Sequence, residues 1–112
     1  MILLLREPAT PDQIDLMLAD WEVLIKVVVD IRRRILTGGG EMHADGEAVL
    51  LADGSSQEDL WGANWYAGSR EIRFEALINI RPRQGNRRLQ VDSEVIRSTM
   101  EPIIRHVLEG TS

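Results

Sequence analysis

The sequence predicts a single α+β domain, with a mixed or antiparallel sheet of four or five strands, two longer helices and one short helix. Three observations carry that expectation. Segments 11–20 and 93–109 space their apolar residues at helical intervals. Val23 to Ile31 is a β-branched run broken only by Lys26 and Asp30, the pattern of a central strand. Residues 71–81 alternate at strand period. A chain of 112 residues fits one domain, 1–112. At that length it buries about two thirds of its unfolded surface and folds without staples.

The elements follow in order. Residues 2–6 read as a short buried strand. Thr10 can cap a helix, Pro11 suits its first position, and Gln13 completes a capping box. Ile14, Met17, Leu18 and Trp21 then fall on one face. Arg32-Arg33-Arg34 makes a solvated turn from the central strand to a partner at 35–37. Gly38-Gly39-Gly40 ends that strand and lets backbone approach a ligand or another strand closely. Ala44 to Ala52 reads as the short helix, and Asp53-Gly54-Ser55 as a turn. A β-hairpin is expected from 59–66 and 71–81, joined by Ala67-Gly68-Ser69-Arg70. In its second strand Ile72, Phe74, Ala76, Ile78 and Ile80 share one face, and Asn79 and Arg81 the other. The last helix runs from about Ser93 to Glu109, and Pro102 is expected to kink or divide it. The two longer helices would cover one sheet face. The short helix and the polar loops would cover the other.

Charge is split along the chain. No Lys or Arg occurs from Ile35 to Ser69, where Glu41, Asp45, Glu47, Asp53, Glu58 and Asp59 supply acid; six arginines follow from Arg70 to Arg88. The net charge of -5 opposes general binding to nucleic acid. The tryptophans Trp61 and Trp65 lie in the acidic half, away from the arginines, which also argues against a single-strand platform. There is no cysteine, so disulfides and thiolate chemistry are excluded, and a cytoplasmic location fits. No stretch reaches the roughly 20 apolar residues of a membrane span.

Two polar, glycine-bearing strings look like a site: 38–45, which holds Glu41, His43 and Asp45, and 79–87. An imidazole beside two carboxylates has a raised pKa and can shuttle protons, with His43 as donor or acceptor and Asp45 or Glu41 orienting it. If the 71–81 strand alternates, Asn79 and Arg81 meet Arg83, Gln84, Asn86 and Arg87, a cluster suited to phosphate or carboxylate. The Gln84-Gly85-Asn86 turn would add backbone N–H groups as an anion nest. Gln57 and Asn64 are secondary polar contacts. The competing reading is that these arginines pair with the acidic segment and hold two loops together. His106 reads as a surface residue. The carboxylates at 45–59 lack the spacing of a known cation loop and read as a solvated face rather than a metal site. There is no Walker loop, Gly-x-Gly-x-x-Gly or Gly-x-Ser-x-Gly, so the cofactor is unknown and enzyme activity is left open.

The strings Gly-Gly-Gly-Glu-Met-His-Ala-Asp (38–45), Asp-Gly-Ser-Ser-Gln-Glu-Asp-Leu-Trp-Gly-Ala-Asn (53–64) and Ala-Leu-Ile-Asn-Ile-Arg-Pro-Arg-Gln-Gly-Asn-Arg (76–87) carry a resemblance. With the Val27-Val28-Val29-Asp30 strand, the chain resembles, over nearly its whole length, an uncharacterised prokaryotic family of small proteins known only as a domain of unknown function. The resemblance implies no reaction, cofactor or catalytic residue. It favours a shared site over incidental loops.

Two functional expectations stand. The first is a polar site for an anionic small molecule, in a binding protein or small enzyme, with Arg81, Arg83 and Arg87 as the anion clamp. It requires the His43 loop and the arginine turn to line a common cavity. The second is an interaction or homodimeric assembly module without catalysis, with Trp61 and Trp65 on the contact face.

Overall fold

The computed structural model describes residues 1–110. Five strands form one antiparallel sheet: β1 (Leu3–Leu5), β2 (Leu24–Asp30), β3 (Ile35–Gly38), β4 (Leu60–Tyr66) and β5 (Ile72–Arg73), in the order β1-β3-β2-β4-β5. Three helices accompany them: α1 (Pro11–Leu18), α2 (His43–Ala52) and α3 (Glu94–Glu109). The α+β architecture and the central position of β2 are as the apolar run predicts. α1 begins with the reciprocal capping box: Gln13 N donates to Thr10 Oγ1 at 3.2 Å and Thr10 N to Gln13 Oε1 at 2.9 Å. It stops at Leu18, two residues earlier than the spacing suggests.

Alternation on β2 sends side chains to two layers. Ile25, Val27 and Val29 join Trp61, Ala63 and Trp65 of β4 in the main core, beneath Met17 of α1 and Met100, Ile103, Ile104 and Val107 of α3. On the opposite face Val28 packs with Ile35, Leu50 and Leu60 under α2. Gly46 lets α2 lie close to the sheet there. A Cβ at that position would stand 2.6 Å from Thr37 Oγ1 and 3.3 Å from Val28 Cγ2.

The arginine turn after β2 is organised by Asp30, which is fully buried. Its Oδ1 accepts from Arg32 N and Arg33 N, both at 2.9 Å, and its Oδ2 accepts from Ser55 Oγ at 2.6 Å. The β2–β3 turn and the loop after α2 are thereby tied together.

Three expectations need correction. First, the alternation over 71–81 yields a strand only at Ile72–Arg73. Beyond it the chain pairs irregularly with 89–91, through Ala76 N to Leu89 O at 3.1 Å and Val91 N to Phe74 O at 2.8 Å. Residues 77–79 then close a 3-10 turn. The cause is Asn79, whose amide takes the place of a strand partner: Oδ1 accepts from Gly62 N at 2.8 Å and Nδ2 donates to Gly62 O at 3.0 Å. Second, α3 runs unbroken through Pro102. Pro102 is exposed, while Met100, Ile103, Ile104 and Val107 pack into the core on both sides of it. Third, Trp61 and Trp65 share the α1/α3 face, not the α2 face, and are 2% and 5% exposed. They belong to this chain's own core and offer no contact face to a partner.

Candidate functional site

α2 covers only part of its sheet face, and what it leaves open becomes a cavity. Register puts Lys26 of β2 opposite Asn64 of β4, and Asn64 opposite Arg73 of β5. These side chains form a polar row on the α2 side, beyond the helix N-terminus. A cavity of about 300 Å³ lies there, lined by Lys26, Met42, His43, Ala44, Asn64, Glu75, Ala76, Leu77, Ile78 and Leu89. That is the lower end of the size range for small-molecule sites.

His43 is the first residue of α2 rather than part of an irregular loop. Its Nε2 lies 2.9 Å from Ala63 O. A carbonyl only accepts, so Nε2 carries the proton and Nδ1 keeps the lone pair. Gly62 makes this approach possible. A Cβ there would meet Ala76 Cβ at 2.5 Å and His43 Cδ2 at 3.2 Å. A glycine inside an apolar strand is a signal of close approach that the sequence offered at Gly62.

The expectation of a raised His43 pKa is overturned. Burial pushes it below the usual histidine value, and the nearby Lys26 charge adds to that; the Ala63 carbonyl and the Asn64 side chain pull only partly the other way. Glu41 and Asp45 are exposed, and the orienting acceptor is a backbone carbonyl instead.

Lys26, the single lysine of the chain, sits with Nζ 4.7 Å from the centroid of the Trp21 ring. Asn64 Nδ2 faces Glu75 O at 3.5 Å, while the buried Asn64 Oδ1 has no hydrogen-bond partner. Lys26, Glu75 and the aliphatic wall of Met42, Leu77, Ile78 and Leu89 were not singled out by sequence. A lone lysine inside a β-branched run was the available hint for Lys26.

The arginine string lines a different cavity. Glu47, Gln57, Ile78, Ile80, Arg81, Pro82, Arg83 and Gln84 surround about 560 Å³ next door, and Ile78 is in both walls. The two strings are neighbours and share no common cavity. Arg81 is spent on structure. Its Nε donates to Ile78 O at 2.9 Å, Nη1 to Gln57 O at 2.7 Å, and Nη2 to Glu47 Oε2 at 3.2 Å, with the guanidinium 4.8 Å over Trp61. The Arg81–Glu47 pair is the pairing of arginine and acidic segments that the competing reading anticipates. Asn79 and Asn86 are buried. Asn86 Nδ2 donates to Asn79 O, Arg88 O and Gln90 O, and its Oδ1 accepts from Asp92 N. Arg83 and Arg87 are exposed and make no ion pair among the described residues; Gln57 is exposed and contributes its backbone carbonyl.

No anion nest forms, because Gln84 N, Gly85 N and Asn86 N all donate to backbone carbonyls of Arg81 and Pro82. The glycines at 38–40 meet this chain rather than a cavity. A Cβ at Gly38 would stand 2.6 Å from Met17 Sδ, and Gly40 N donates to Asp20 Oδ2 at 3.0 Å. Among the described residues no three His, Cys, Asp or Glu side chains gather closely enough to hold a metal ion, and no helix is long and apolar enough to cross a membrane.

A family model described as "Protein of unknown function (DUF5674)" matches residues 3–107. No curated protein and no solved structure matches the chain.

Proposed function

The chain belongs to that family of unknown function, and from this premise we propose that it binds a small anionic molecule in the cavity beside His43. The observation that carries the reading is the composition of that cavity. The side chains of Lys26, of the neutral His43 and of Asn64 line a space with aliphatic walls. Apolar walls with a few converging polar groups are the usual character of a ligand site. The anion contact falls to Lys26 rather than to the arginines, since Arg81 is fully engaged nearby. Arg83 and Arg87 remain available to extend a larger ligand toward the neighbouring cavity. His43 serves as a hydrogen-bonding wall and, through Nδ1, as a proton acceptor for any reaction the bound molecule undergoes.

Thermal shift against a panel of small carboxylates and phosphates tests this. A ligand present at a hundred times its Kd stabilises by about 2.7 kcal/mol. The reading predicts a raised melting temperature in the wild type and none in Lys26→Met. A shift that survives in Lys26→Met and vanishes in Arg83→Ala would move the site to the neighbouring cavity.

A second reading, homodimeric assembly, draws on exposed aliphatic residues around the cavity mouth: Met42 at 54%, Leu77 at 72% and Leu89 at 43%. It predicts a melting temperature that falls on dilution, and a sedimentation coefficient that changes in Leu77→Asp.

A further inference from the structure

We infer that β1 is an association surface whose partner is a second copy of this chain: two β1 strands pair antiparallel about a two-fold axis at Leu4 and join two five-stranded sheets into one. No residue of β1 lines the His43 cavity, so the inference stands apart from the binding reading, and it uses a different surface from the cavity mouth.

The carrying observation is where the backbone of β1 points. Gly39 N donates to Lys26 O at 3.0 Å. That bond sets the phase of the antiparallel β2–β3 ladder, in which bonded and unbonded pairs alternate, so Thr37 exchanges its hydrogen bonds with Val28. Leu36 and Gly38, on the other phase, face β1 and meet Leu5 and Leu3. The N–H and C=O of Leu4 therefore point out of the sheet's edge. Ile2 and Arg6 flank it in the same phase. No group among the described residues bonds the backbone of these three outward positions.

Sheet edges are commonly guarded by charge, proline or a bulge. β1 has none of these: it pairs one-to-one with β3, and residues 1–5 hold no charged side chain and no proline. The other edge, β5, is two residues long, contains Arg73 and lies between Glu71 and Glu75. A groove of about 480 Å³, lined by residues 4–8 with Thr10 and Gln13, leaves room beside β1.

A two-fold axis at Leu4 matches this edge to itself. Leu4 faces Leu4 of the second copy, Leu3 faces Leu5, and Ile2 faces Arg6. Leu3 and Leu5 pack on the α1/α3 side and Leu4 on the α2 side, so each pair extends one of the two core layers. Every outward donor then has an acceptor opposite it. A foreign extended peptide would only move the open edge outward, onto itself. The uncharged segment also lets two chains of net charge -5 meet without bringing like charges together. Because β5 differs from β1, the assembly closes at two copies.

Sedimentation of the full chain across a dilution series, with amide exchange read at Leu3, Leu4 and Leu5, tests the inference. The interface is small, so the dimer should prevail at millimolar concentration and dissociate at micromolar. As it forms, exchange at Leu4 N–H should slow by about tenfold, while Leu3 and Leu5, already bonded to β3, change little. Leu4→Pro removes an N–H that β3 does not use, and should keep the chain folded and monomeric. The amide readout uses unaltered protein, so it decides even where that variant fails to fold. A monomer at every concentration, assembly beyond the dimer, or a dimer whose Leu4 amide exchanges as fast as the monomer's overturns the inference. A dimer kept in Leu4→Pro and lost in Leu77→Asp overturns it too, and moves the interface to the cavity mouth.

Discussion

Asn79 shows how one side chain redirects a segment. Its amide closes on Gly62 from both sides and also donates to Leu89 O at 3.0 Å. Asn79→Ala strands Gly62 N, Gly62 O and Leu89 O in a buried setting, so we expect a loss of about 2–4 kcal/mol by urea denaturation. Arg83→Ala, in an exposed and unpaired position, should change stability by less than about 0.5 kcal/mol. At His43 the sign of the pH dependence is set by burial. The folded pKa lies below the unfolded value of 6.5, so between the two the unfolded chain holds more protons. His43 therefore favours the folded state fully above 6.5, and that contribution declines as pH falls through this window. Urea midpoints should drop between pH 7 and pH 5 more steeply in the wild type than in His43→Gln. A steeper drop in the variant would contradict the assignment of a buried neutral imidazole.

Elements here are held by a few multivalent groups. Arg81 joins α2, through Glu47, to the loops at 57 and 78. A lysine cannot reach three acceptors in different directions, so Arg81→Lys should cost about 1–3 kcal/mol and free the 77–84 segment for faster amide exchange. In α3, Pro102 leaves the Ser98 carbonyl without its helical donor. Pro102→Ala restores that bond at an exposed position but loosens the unfolded chain by about 0.4–1 kcal/mol. The melting temperature should rise. The helices and the central strand were legible because period and capping residues act locally: Thr10 and Gln13 name their own roles, and Val27 to Val29 announce burial on both faces. The 71–81 strand was misleading for a long-range reason. Ile72 and Phe74 share the main-core face as the alternation says, but Ala76 lies against Gly62 on the α2 side, and nothing local reveals that Asn79 would bond Gly62 seventeen residues away.

For the molecule as a whole, the two polar strings were visible and their arrangement was not. Their glycines, arginines and histidine suggest one site because each string is unusually polar and glycine-bearing. In space α2 sends His43 to one cavity and Glu47, one turn later, to Arg81 at the next. The His43 cavity draws Lys26 from β2 and Asn64 from β4, contributors that only the register brings together. The central claim is that this cavity binds a small anion. The most direct measurement is a two-dimensional NMR titration of the full chain with the carboxylate that gives the largest thermal shift. The account predicts saturable shifts clustered at Lys26, Met42 to Ala44, Asn64, Glu75 to Ile78 and Leu89. Shifts confined to Arg83 and Arg87, or none at saturating concentration, would contradict it.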